Sequence, residues 1–136
     1  MHSLQFIKAE SINLGRLDGF ENTGFILRFN FRLDEPLTSE LKLLSISSSI
    51  SLIVSLYLTF ASNLFLFAYP SNHVDCGINV EVGKWYWIVL IVNLFDILKA
   101  EVIIRYDSVF IEKSSSMTFS VFSMLNFQFG HSVNND

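Results

Sequence analysis

Between Lys42 and Asp75 the chain carries no Asp, Glu, Lys or Arg, and no other feature narrows the possible folds as far. A membrane-spanning helix needs roughly 20 mainly apolar residues, and on length and lack of charge this stretch qualifies. The order of its residues argues for strands instead. Ile50, Leu52, Val54, Leu56, Leu58 and Phe60 fall on one face of an extended chain, and Ser51, Ile53, Ser55, Tyr57 and Thr59 on the other. Successive strand side chains point to opposite faces, so the pattern gives one apolar and one mostly polar face. A helix would scatter the same serines around its circumference. The clusters Ser47-Ser48-Ser49 and Ala61-Ser62-Asn63 read as turns, and Pro70 with Ser71 and Asn72 closes the block. The expectation is a three-strand meander, "LKLLSI", the central strand and "LFLFAY", covered on both sides, with charged binding groups coming from elsewhere in the chain.

The alternation continues outside this block. In "GFILRFNFRL" the residues Phe25, Leu27, Phe29, Phe31 and Leu33 share one face, and Ile26, Arg28, Asn30 and Arg32 the other. "GKWYWIVLIVNL", from Gly83 to Leu94, is apolar on both faces, as in a central strand covered on each side. Shorter strands are predicted over Lys99–Tyr106, Ser108–Lys113, Met117–Met124 and Asn126–Ser132, with turns at Tyr106-Asp107-Ser108 and Ser114-Ser115-Ser116. Many short strands with regular turns and no convincing helix predict an all-β sandwich or barrel. With 136 residues, 51% of them hydrophobic and 14 of them Phe, residues 1–136 are expected to form a single domain with a substantial core.

Composition excludes several classes of function. A formal net charge of −4 with scattered Lys and Arg supplies no basic field of the kind that drives nucleic-acid binding, and no polybasic run that would favour an anionic leaflet. Cys76 is the one cysteine, so no intrachain disulfide can form and a reducing compartment is the simpler expectation. The start "MHSLQFIKAESINLG" lacks the basic and apolar regions of a secretory signal.

The order of elements, "GFILRFNFRL", "LLSI", the paired strands, "VEVGKWYWIVLIV", "AEVIIRYDSVFIE" and "LNFQFG", resembles the concanavalin A-like lectin/glucanase (laminin G-like) jelly roll over residues 20–132. Gly83-Lys84-Trp85-Tyr86 matches the motif that leads into its central strand, Arg105-Tyr106-Asp107-Ser108 its hairpin turn, and Phe127-Gln128-Phe129-Gly130 its late glycine segment. The resemblance implies a two-sheet antiparallel jelly-roll sandwich with Trp85 as a structural tryptophan. It departs from the pattern at the end, where a strand after Gly130 is missing, so either "SLQFIKAESI" completes the sheet or the chain is part of a larger protein. Within the superfamily, the phenylalanine content and the lack of a disulfide look most like the concanavalin A-like domain of BEACH-family trafficking scaffolds. That likeness implies a cytoplasmic protein, peripheral on vesicle or endosomal membranes.

Glycoside hydrolysis needs two carboxylates, about 5–5.5 Å or 6.5–9.5 Å apart, and Glu81, Glu101, Asp107 and Glu112 sit singly in the sequence. His73-Val74-Asp75-Cys76 offers three metal-ligand types in four residues, but a structural zinc site needs four ligands and only His2 and His131 remain. A polar loop with an idle thiol is the simpler reading, and no metal or cofactor is expected. The outward set Arg28, Asn30 and Arg32, with the indole of Trp87, is the candidate ligand-binding surface. The expected function is a non-enzymatic interaction module that binds a protein partner, or other domains of its own chain, through a sheet face or edge. The alternative is a lectin-like module that binds an oligosaccharide on a concave sheet face.

Overall fold

The computed structural model describes residues 2–6, 12–17, 24–47, 51–93, 98–117 and 125–132. Eleven strands lie among them: β1 (His2–Phe6), β2 (Ile12–Leu17), β3 (Gly24–Leu33), β4 (Leu41–Ser47), β5 (Leu52–Leu58), β6 (Asn63–Ala68), β7 (Asn72–Asn79), β8 (Tyr86–Asn93), β9 (Lys99–Tyr106), β10 (Val109–Ser116) and β11 (Leu125–Ser132). They form two sheets, ordered β1-β3-β8-β9-β10 and β2-β11-β4-β5-β6-β7. Pairing is antiparallel except between β1 and β3. The architecture is the expected all-β jelly-roll sandwich. In the N-terminal segment, β1 is an outer strand of one sheet and β2 an outer strand of the other. The predicted strand over Met117–Met124 lies, beyond Met117, outside the described residues.

The core forms where the two apolar faces meet. Phe29, Phe31 and Leu33 of β3, with Tyr86, Ile88, Leu90 and Val92 of β8, pack against Leu44 and Ile46 of β4, Val54 and Leu56 of β5, and Leu64 and Leu66 of β6. Phe31 and Tyr86 stack with ring centroids 5.4 Å apart, and the Tyr86 hydroxyl accepts a hydrogen bond from the Glu81 amide. Tyr86 is therefore the core aromatic of the Gly83-Lys84-Trp85-Tyr86 motif. Trp85 is only half-buried, with the Arg32 guanidinium 5.2 Å from its ring centre. The expected structural tryptophan lies at the sandwich margin because β8 starts one residue later, with Tyr86 facing inward.

Two further expectations change. β8 is covered on one side only, since Trp87, Val89 and Ile91 remain half-exposed on its outer face. Phe60, expected on the core face of the central strand, sits in the β5–β6 turn and is 68% exposed. The β9–β10 hairpin turns at Asp107, whose φ of 51° is a left-handed conformation that Asp tolerates better than most residues. Its carboxylate lies 3.0 Å from Lys84 Nζ, which is also 2.8 Å from Glu81. These two carboxylates hold Lys84 well above its ordinary pKa, by hydrogen bonding first, and tie the β7–β8 loop to the hairpin.

Candidate functional site

The outward face of the six-stranded sheet carries a groove of about 190 Å³ lined by Glu40, Lys42, Leu52, Ser55, Tyr57, Phe67 and His73. Two β-bulges decide which side chains reach it. Lys42 pairs with Tyr57 but Leu44 pairs with Leu56, leaving Leu43 as an extra residue on β4; Ile46 pairs with Val54 but Ser47 with Leu52, leaving Ile53 extra on β5. Both extra residues are buried. Strict alternation would set Lys42 and Ser45 on opposite faces and keep Leu52 in the core. The bulges bring Lys42, Ser45, Ser55, Tyr57 and Leu52 to one face, in keeping with the way bulges re-aim side chains beside functional sites.

Across the groove, Tyr57 Oη lies 2.8 Å from His73 Nδ1. The two residues are on β5 and β7, with β6 between them, so their side chains meet over a strand that contributes Phe65 and Phe67. Tyr57 stacks on Phe65 at 5.5 Å, and Phe67 tilts against the His73 ring at 5.0 Å. This aromatic packing fixes the orientation of both polar groups. Burial, then the charge of Glu40, pushes the Tyr57 phenol above its ordinary range, so it is a proton donor at neutral pH. His73, expected in a polar loop after Pro70, is instead on β7 and exposed. Ser45 and Ser55 face each other across β4 and β5, both buried and neither hydroxyl hydrogen-bonded.

The remaining candidates divide by face. On β7, His73 and Asp75 point outward while Cys76 is buried in the core, so the His73–Cys76 run does not converge on one point. Among the described residues, no group of three or more His, Cys, Asp or Glu could hold a metal ion. Burial, then Asp75, pushes the Cys76 thiol up to about 12, which leaves it unreactive as a nucleophile.

Arg28, Asn30, Arg32 and Trp87 do come together, on the outward face of the five-stranded sheet, where Asn30 pairs with Trp87 and Arg28 with Val89. There the Arg105 guanidinium sits 5.1 Å from the Trp87 ring centre, and Arg32 is bonded to Asp34 at 2.8 Å. One indole face and one guanidinium of the set are thus engaged within the protein. On the same face Glu101 and Glu112 are hydrogen-bonded to each other, which raises the Glu112 pKa. Carboxyls in direct hydrogen-bonding contact leave no space for the glycosidic bond that a hydrolase pair must flank.

No protein-family model matches the chain, and no curated protein sequence matches it. Its structure is similar to the crystal structure of an endo-β-1,4-glucuronan lyase from the fungus Trichoderma reesei, with a TM-score of 0.58 and 14% identity, covering 93% of this chain and 65% of that one. It is also similar to the alginate lyase AlgAT5 from polysaccharide lyase family 7, with a TM-score of 0.52 and 15% identity, covering 93% and 52%. The chain spans just under two-thirds of the first neighbour and about half of the second.

These likenesses show the jelly-roll fold and correct two expectations. The neighbours are carbohydrate-acting enzymes, and nothing in them supports a BEACH-type trafficking scaffold or a protein-binding module. The expectation of no enzymatic role rested on the missing carboxylate pair, which bears on hydrolysis alone. Eliminative cleavage needs a general base and a general acid rather than two carboxylates. Tyr57 and His73 stand sixteen residues apart in the sequence, one in an alternating strand and one in the polar stretch after Pro70, and no sequence signal joins them.

Proposed function

We propose that this protein acts on an acidic polysaccharide through the groove of the six-stranded sheet, cleaving it by β-elimination. The observation that carries the reading is the 2.8 Å contact between Tyr57 Oη and His73 Nδ1, in a groove that also holds Lys42. Glucuronan and alginate, which the structural neighbours cleave according to their names, are polymers of uronic acids. In a uronate the hydrogen on C5 lies next to the carboxylate carbon, and neutralising that carboxylate makes it more acidic.

The groove supplies each part of this chemistry. The Lys42 ammonium pairs with the substrate carboxylate. With Nδ1–H of His73 donating to Tyr57 Oη, Nε2 is free to take the C5 proton. The electron pair of that C–H bond forms the C4–C5 double bond, the C4–O bond breaks, and Tyr57 donates its hydroxyl proton to the departing oxygen. The resulting phenolate recovers a proton from Nδ1 of the imidazolium, which restores a neutral pair. Positioned acid–base groups of this kind contribute about 10²–10⁴-fold each.

The test is incubation with uronate polymers, monitored by the ultraviolet absorbance of the unsaturated product, for the native protein and for Tyr57→Phe and His73→Ala. Product from the native protein and its loss in both variants is the expected result. Saturable binding without product would leave a carbohydrate-binding module, and neither binding nor product would end the carbohydrate reading.

A further inference from the structure

The groove holds one cation and one carboxylate. Lys42 and Glu40 both line it, and among the described residues no ion pair within 4.0 Å joins them. A site built for a chain that bears a carboxylate on every unit would gain nothing from an anion beside its reacting subsite, because like charges set side by side repel each other. A carboxylate can only accept hydrogen bonds, and the vicinal hydroxyls of an uncharged sugar are the complementary donors. At about 190 Å³ the groove is smaller than the roughly 300–1,000 Å³ of a drug-sized pocket. It therefore takes about one ring at a time, so that the reacting uronate meets Lys42 and the unit beside it meets Glu40.

Resting on the proposed function, we infer that Glu40 selects the substrate: the subsite beside the reacting uronate takes a neutral sugar, so the preferred polymer alternates uronate and uncharged units. Lys42 holds the carboxylate of one unit. Glu40 accepts hydrogen bonds from the hydroxyls of the next and repels a second carboxylate there.

Two polymers test this, one a homopolymer of uronate and the other alternating uronate with a neutral hexose, each assayed with the native protein, Glu40→Gln and Glu40→Ser. The native protein is expected to favour the alternating polymer in kcat/KM by on the order of tenfold, and both variants to bring the ratio towards unity, chiefly by improving the homopolymer. Circular dichroism establishes that the variants are folded. Equal use of the two polymers by the native protein, or an unchanged ratio in the folded variants, overturns the inference and leaves the elimination reading standing. Absence of binding and cleavage with both polymers overturns the two together.

Discussion

The outward faces of the two sheets are made of similar side chains put to different ends. On the five-stranded sheet the aromatic rings are matched to cations, Arg32 over Trp85 and Arg105 over Trp87, and the acids to a base or to each other, as with Asp34 on Arg32 and Glu101 on Glu112. On the six-stranded sheet the rings pack on one another and hold a Tyr–His pair beside Lys42 and Glu40. On the first surface the rings and charges are mostly matched, with Asn30 Oδ1 the described buried polar atom left without a partner. The second holds a Tyr–His pair in contact, two buried serine hydroxyls without partners and an ammonium free of any described carboxylate, a larger set of groups open to something outside the chain.

If this contrast is correct, the largest effect falls on the groove. Tyr57→Phe is expected to lower kcat for eliminative cleavage about 10²–10⁴-fold while the far-ultraviolet circular dichroism spectrum is unchanged; retention of most activity would place the chemistry elsewhere. Next, Ser55→Ala removes a buried hydroxyl that has no hydrogen bond, a defect costing about 1–3 kcal/mol. Denaturant unfolding should show equal or higher stability, whereas a clear loss would mean that the hydroxyl is satisfied in the folded protein.

On the opposite face, Arg105→Ala should reduce stability by about 0.5–1 kcal/mol through loss of the contact with Trp87 and leave cleavage intact. A loss of cleavage would show that the five-stranded face belongs to the site after all. The smallest effect is a shift of a pH profile. Folding favours the neutral phenol of Tyr57, through burial and then Glu40, so the donor persists through neutral pH and is lost as pH rises beyond the usual phenol value of about 10. Glu40→Gln removes one of these causes and should move the alkaline limb of kcat to lower pH.

Much of the fold was legible residue by residue. The alternation in "GFILRFNFRL" placed Phe29, Phe31 and Leu33 inward and Arg28, Asn30 and Arg32 outward, as observed, because a side-chain period of 2 is a local property of the backbone. The same rule failed at Leu43 and Ile53, where one extra residue on each strand reverses the faces that follow. Bulges depend on how two strands pair, and a single strand's sequence does not record that. The expectation that charged binding groups come from outside the charge-free meander concerned charge alone: the groove combines Tyr57 and His73 of that stretch with Glu40 and Lys42, which flank it.

The sequence by itself determined that this chain makes amphipathic strands with an aliphatic and aromatic interior, because apolar periodicity and turn residues act over a few positions. Only the tertiary structure decided what the surface can do. Strands lie about 4.7–4.9 Å apart, so residues on β5 and β7 stand two strands from each other and meet only if the intervening β6 is in register and long side chains lean across it. That register aligns Ser55 with Phe67 and Phe67 with His73, and it depends on the packing of the whole sheet, which no short stretch of the chain encodes.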